Sequence, residues 1–191
     1  MANFSELDRY LFGQATHYEI YRKLGAHFTD QYGIRGVCFD VWAPNAARIW
    51  VIGSFNGWDE TADEMTRLEP DTMGIFELFI PGIEEGALYK YAVTGQDDKT
   101  ILKSDPYGFS AEMRPSTASK VASIDGFKWS DNRWIDNRAQ SKFQKEPMAI
   151  YEMHPGSWKK HTPENEDDPG FYNFRELAPE LVTYLKEMGY T

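Results

Sequence analysis

Period-two alternation dominates the middle of the chain. Val37, Phe39 and Val41 alternate with Cys38, Asp40 and Trp42 until Pro44-Asn45 stops the run, and Ile49 and Val51 alternate with Trp50 and Ile52 up to Gly53. Phe76-Glu77-Leu78-Phe79-Ile80 ends at Pro81-Gly82, and Tyr89, Tyr91 and Val93 alternate with Leu88, Lys90 and Ala92 before Gly95. An extended backbone turns successive side chains to opposite faces, so each run predicts a strand with one face inward. Short strands punctuated by turn residues at this spacing predict an immunoglobulin-like β-sandwich over residues 20–125. Ahead of it, residues 1–19 form a helical segment in which Ser5 and Asp8 cap a short helix that stops at Gly13.

Beyond residue 125 the pattern changes twice. Residues 126–146 are polar, with Trp129 and Trp134 as isolated aromatics, and read as a connector that those rings anchor. Within residues 147–191, Met148 to His154 lie between Pro147 and Pro155-Gly156 and read as a strand. A polar loop follows from Thr162 to Gly170. Its Glu164, Glu166, Asp167 and Asp168 lack the alternating spacing of a calcium loop, so a solvated loop is the better reading. Leu177, Leu181, Tyr184, Leu185 and Met188 then share one face of a helix. Asn173 with Glu176 reads as the cap of a separate first turn, Pro179 as the start of the main helix, and Gly189 as its left-handed exit. Strand, loop and helix make half of a βαβ unit, and a parallel strand needs a neighbour. The second domain therefore reads as the first strand and helix of a truncated barrel. Its apolar helix face is expected to be disordered, to fold back, or to self-associate with a second copy.

Composition narrows the functional classes. The 191 residues carry a net charge of −10, opposite in sign to what a phosphate backbone attracts, so no nucleic-acid partner is expected. No apolar run approaches the roughly 20 residues of a membrane helix. The first ten residues include Glu6, Asp8 and Arg9 and do not resemble a signal peptide, so a cytoplasmic location is expected. Cys38 is the single cysteine, which excludes an intramolecular disulfide and a thiolate metal cage, and its strand position marks it as a small buried side chain. No cofactor and no metal are expected. Aromatic residues make up 15% of the chain, enough to leave some rings at the surface as platforms for ligands with flat apolar faces.

Several motifs, in order, resemble a known family. Phe39-Asp40-Val41-Trp42-Ala43-Pro44-Asn45-Ala46 is similar to the first core strand of family 48 carbohydrate-binding modules on α-glucan enzymes, and Gly53-Ser54-Phe55-Asn56-Gly57-Trp58-Asp59 to their glucan-facing turn. Tyr89-Lys90-Tyr91 resembles the strand that supplies their basic contact, and Lys103-Ser104-Asp105-Pro106-Tyr107, Arg114-Pro115 and Thr117-Ala118-Ser119 continue the match. Leu11-Phe12, Lys23-Leu24-Gly25-Ala26-His27, Ile150-Tyr151-Glu152-Met153-His154 and Gly156-Ser157-Trp158 resemble the bacterial 1,4-α-glucan (glycogen) branching enzymes.

That resemblance implies an N-terminal portion: the module, then the start of a family 13 (β/α)8 catalytic barrel. It implies an enzyme that cuts an α-1,4-glucan and transfers the segment to a 6-hydroxyl, using two carboxyl groups roughly 5–5.5 Å apart. Those carboxylates lie on later barrel strands in the family, so no catalytic residue is named here, and the 191 residues alone are expected to be inactive. Tyr151, Glu152 and His154 are given structural roles. For α-glucan the resemblance implies Trp58 as the stacking ring, with Lys90 and Asn56 as polar contacts. The kinase regulatory β subunits carry a second stacking tryptophan where this chain has Gly95-Gln96-Asp97-Asp98-Lys99, so one platform is missing. A standalone glycogen-targeting module and the front of a debranching-type hydrolase stay open beside the branching enzyme. Gly156-Ser157-Trp158 favours branching.

Overall fold

The computed structural model describes residues 4–68, 73–165 and 168–190. The chain divides into two compact units, Met1–Lys128 and Trp129–Thr191.

The first unit is a β-sandwich. Its strands are β1 (Gly25–Gln31), β2 (Ile34–Trp42), β3 (Arg48–Gly53), β4 (Thr66–Arg67), β5 (Ile75–Pro81), β6 (Leu88–Thr94), β7 (Thr100–Lys103), β8 (Ser110–Ala111) and β9 (Ser119–Lys120). One sheet runs β1-β2-β5-β4; the other runs β3-β6-β9-β8, with β7 also paired to β6. Every ladder is antiparallel, and the register sets Lys90 opposite Ile52 and Tyr89 opposite Gly53. Val37, Phe39 and Val41 of one sheet and Ile49, Val51, Tyr89 and Tyr91 of the other share one core. These are the inward positions that the alternation predicts.

The outer face of the first sheet is partly covered. Cys38 and Asp40 point away from the shared core, yet they are buried. Helix α1 (Glu6–Gly13) begins at Ser5, whose hydroxyl accepts the Asp8 N–H while Asp8 reaches back to the Ser5 N–H. Asp8 also meets His17 at 2.9 Å and Lys23 at 3.2 Å. Phe4, Leu24 and Ile75 form a second small core, joined by Phe12, whose ring lies 5.9 Å from that of Trp42. The N-terminal segment thus belongs to the packing of the sandwich unit.

The second unit holds α2 (Asn132–Gln140), α3 (Pro155–Trp158) and α4 (Phe174–Met188). Three expectations are corrected here. Residues 147–154 are part of no strand: extended backbone becomes sheet only beside another strand, and no strand among the described residues pairs with them. Helix α4 is continuous from its Asn173–Glu176 capping box to the left-handed Gly189, with Pro179 inside it. A proline near the N-terminal end removes one N–H, and the helix absorbs that single loss. Trp129 and Trp134 are 74% and 57% exposed, with Arg138 lying 4.8 Å from the Trp134 ring, so neither ring is a buried anchor.

Aromatic packing organises this unit. The Trp158 indole donates to the Tyr151 hydroxyl at 2.7 Å, and the Tyr151 ring lies 5.2 Å from Tyr184 and 5.0 Å from Tyr190. In the acidic loop, Asp168 accepts the backbone N–H groups of Glu164 and Gly170 at 2.9 and 2.8 Å. Glu166 and Asp167 lie outside the described residues.

Candidate functional site

The turn after β3 gives each of its residues a different task. Gly53 admits no side chain, since a Cβ there would stand 2.3 Å from the Leu88 carbonyl oxygen and 2.6 Å from the Phe55 ring. Ser54 continues the pairing, its N–H donating to the Leu88 carbonyl at 2.9 Å and its hydroxyl accepting the Leu88 N–H at 3.2 Å. Phe55 turns inward and packs 6.2 Å from the Phe39 ring. Gly57 and Trp58 then take left-handed φ values of 66° and 63°, and the Trp58 N–H returns to the Gly53 carbonyl at 2.9 Å. A left-handed conformation costs a residue with a side chain roughly 1–2 kcal/mol. The result is a Trp58 side chain that remains 40% exposed at the end of the sheet.

Asn56 is placed differently from the sugar-contacting role given to it by resemblance. Its Oδ1 accepts the Gly53 N–H at 2.8 Å, and its Nδ2 donates to the Val51 carbonyl at 2.9 Å and to the Asp63 carboxylate at 2.7 Å. A side-chain amide has two N–H donors. Both are occupied here, so Asn56 serves the turn and has no donor left for a sugar hydroxyl.

Lys90 lies on the opposite face of β6 from Tyr89 and Tyr91. Its register partner Ile52 directly precedes Gly53, the residue that holds Trp58, so the two predicted contacts lie at one end of the β3–β6 pair. The Lys90 ammonium donates to the Thr117 hydroxyl at 2.9 Å. Beneath it, the Tyr89 and Tyr91 hydroxyls donate to one oxygen of the buried Asp105 at 2.6 and 3.2 Å, and the other oxygen accepts the Tyr107 N–H at 2.8 Å. Burial pushes the Asp105 carboxyl above its usual range, against the pull of these hydrogen bonds. Burial also raises both tyrosine hydroxyls, followed by the charge of Asp105. The strand that carries Lys90 is thereby pinned from its inner face.

Thr117 lies in a segment that the resemblance already matches, but its pairing with Lys90 has no sequence signal, and Asp63 carries none until the fold brings it to Asn56. In the Gly95–Lys99 turn, the Gly95 N–H donates to the Lys99 carbonyl at 3.0 Å, and no aromatic ring stands there. One metal-competent trio exists among the described residues: Cys38, Asp40 and Glu77 offer ligand atoms within 4.8 Å of one another. Burial, then the charges of Asp40 and Glu77, push the Cys38 thiol up, which keeps it protonated at neutral pH. Cys38 is the small buried side chain that its strand position implies.

Both the sandwich unit and the chain as a whole have known relatives. Residues 23–108 match the family model of carbohydrate-binding module 48 (isoamylase N-terminal domain), which spans β1 to β7 and the Asp105 segment. The chain is 52% identical over 187 residues to the 1,4-alpha-glucan branching enzyme GlgB of Butyrivibrio fibrisolvens, covering 98% of this chain and 29% of that protein. The chain is homologous to the N-terminal part of the GlgB branching enzymes. Its identity to the GlgB of Protochlamydia amoebophila is 45% over 191 residues, all of this chain and 25% of that enzyme. The chain thus spans less than a third of the length of these GlgB relatives. A solved Salmonella typhimurium protein assigned as an α-amylase shares the fold over 88% of this chain and 23% of its own, with a TM-score of 0.58 and 24% identity.

Proposed function

We propose that the sandwich unit engages α-glucan through Trp58 and Lys90, as part of a cytoplasmic branching enzyme that transfers α-1,4-glucan segments to 6-hydroxyls. The observation that carries this reading is the turn from Gly53 to Trp58. It packs the half-buried Phe55 against the core and turns Asn56 to the backbone, and it still leaves an indole ring outside. Pyranose rings present C–H faces that stack on such a ring, and their hydroxyls accept from a nearby ammonium. Lys90 keeps N–H donors beyond the one given to Thr117. No residue of these 191 is assigned as a transfer carboxylate, so this portion's contribution is binding the glucan or bracing the catalytic part.

Affinity electrophoresis through glycogen-containing gels tests the reading. With one tryptophan platform, binding is expected near millimolar, roughly −4 kcal/mol. Trp58→Ala removes a face worth about 1–3 kcal/mol and is expected to abolish detectable retardation. Lys90→Ala is expected to weaken it less, because a lysine that meets neutral hydroxyls gives up hydration to do so. A Trp58→Ala protein that melts normally and is retarded as strongly as the parent would place binding elsewhere.

A further inference from the structure

We propose that Asn56 and Asp63 form a clasp that positions Trp58 for its ligand. The inference rests on the glucan-binding reading above and adds two residues that act on the sugar only through the tryptophan.

The clasp joins three pieces of chain. Asn56 holds the base of the turn through the Gly53 N–H and the Val51 carbonyl, and it holds the returning arm through the Asp63 carboxylate. That arm runs along the free side of β3: the Val51 N–H donates to the Asp63 carbonyl at 2.9 Å, and the Met65 N–H to the Ile49 carbonyl at 2.8 Å. Asp63 therefore has a fixed backbone from which its carboxylate meets the amide. Gly57 and Trp58 sit between the two ends of this clasp, both left-handed. A bulky residue stays in that conformation only where its surroundings over-determine it.

Outside the clasp Trp58 is held by local backbone bonds, while the Asp59 carboxylate turns onward to the Thr61 N–H and hydroxyl at 2.8 and 2.7 Å. The Trp58 N–H bonds to the Gly53 carbonyl, and the Asp59 N–H reaches the Asn56 carbonyl only at 3.4 Å. With the clasp opened, the 57–59 segment relaxes toward ordinary right-handed or extended conformations and carries the indole with it. Binding then has to draw on the fraction of molecules in which the ring is presented, and apparent affinity falls by that fraction. If about one molecule in ten retains the presented form, the loss is roughly tenfold.

The test uses the whole 191-residue chain with Asn56→Ala, Asp63→Ala and Asp63→Asn, the last keeping an oxygen that can accept from Asn56. Glycogen retardation and maltoheptaose titration give affinity, thermal melts give folding, and amide exchange at Gly57 to Asp59 reports the turn without any ligand. Expected are a roughly tenfold weaker affinity and faster exchange at these amides for both alanine variants, a melt close to the parent for Asp63→Ala, and near-parent affinity for Asp63→Asn. Folded alanine variants that bind like the parent overturn the proposal. Should Asn56→Ala fail to fold, Asp63→Ala decides alone, since it leaves the bonds to Gly53 and Val51 in place. Unchanged exchange in Asp63→Ala overturns the clasp even if no variant binds glucan, whereas a parent that ignores glucan overturns only the reading on which it rests.

Discussion

Replacing Asp105 by alanine should strongly destabilise the sandwich unit without unfolding it, and the size of the effect follows from its three donors. Tyr89 and Tyr91 are 0% and 1% exposed, so neither hydroxyl can turn to water when its acceptor is removed. An orphaned buried donor costs about 1–3 kcal/mol. The 2.6 Å bond from Tyr89 belongs at the upper end, and the 3.2 Å bond from Tyr91 and the half-buried Tyr107 amide at the lower. Together they come to about 5 kcal/mol. Part is offset because the variant no longer holds a carboxylate that burial disfavours, which leaves about 3 kcal/mol against a typical domain stability of about 5–15 kcal/mol. In urea, with a slope of about 1.5 kcal/mol per molar, the midpoint should fall by about 2 M. The amide signals of β6 are the appropriate readout, since they report the first unit alone. Tyr89→Phe should cost more than Tyr91→Phe in the parent. In the Asp105→Ala background, Tyr89→Phe should become neutral or stabilising, because it removes an orphan hydroxyl. A midpoint shift under about 0.5 M, or an equal cost of Tyr89→Phe in both backgrounds, would refute the reasoning.

Two further outcomes follow from local geometry. Because Trp58 has a left-handed backbone, Trp58→Gly should be more stable than Trp58→Ala by about 1 kcal/mol, although both lose the stacking ring; equal melting temperatures would show that the turn relaxes without strain. Burial alone would raise the Asp8 carboxyl, but hydrogen bonds from Ser5, His17 and Lys23 hold it well below the usual range. Its contribution is therefore fully present above the unfolded value of about 3.9 and is lost as the pH falls below it toward the folded value. Asp8→Asn should accordingly flatten the loss of stability between about pH 5 and pH 2, and a slope equal to the parent's in acid unfolding would sink that assignment.

What the sequence determined by itself is whatever depends on near neighbours. Alternation set which residues of β2, β3, β5 and β6 face the core, since strand pleating is a property of each strand alone. The Ser5–Asp8 and Asn173–Glu176 boxes and the Gly189 exit were legible because a cap is satisfied within a few residues. So was the turn that ends at Trp58. Tertiary structure decided what depends on partners distant in sequence. The strand order, the burial of Asp40 on the face away from the shared core, and the meeting of Asp105 with Tyr89 and Tyr91 have no local signature. Residues 147–154 have a strand's composition and form no ladder, because extended backbone becomes sheet only when another strand supplies its hydrogen bonds. Pro179 lies inside a helix because packing and capping along α4 outweigh one missing N–H. Asn56 was legible as a turn residue, but its loss as a sugar donor was not. That depended on Asp63, seven residues away along a path no local rule predicts, arriving at its second amide hydrogen.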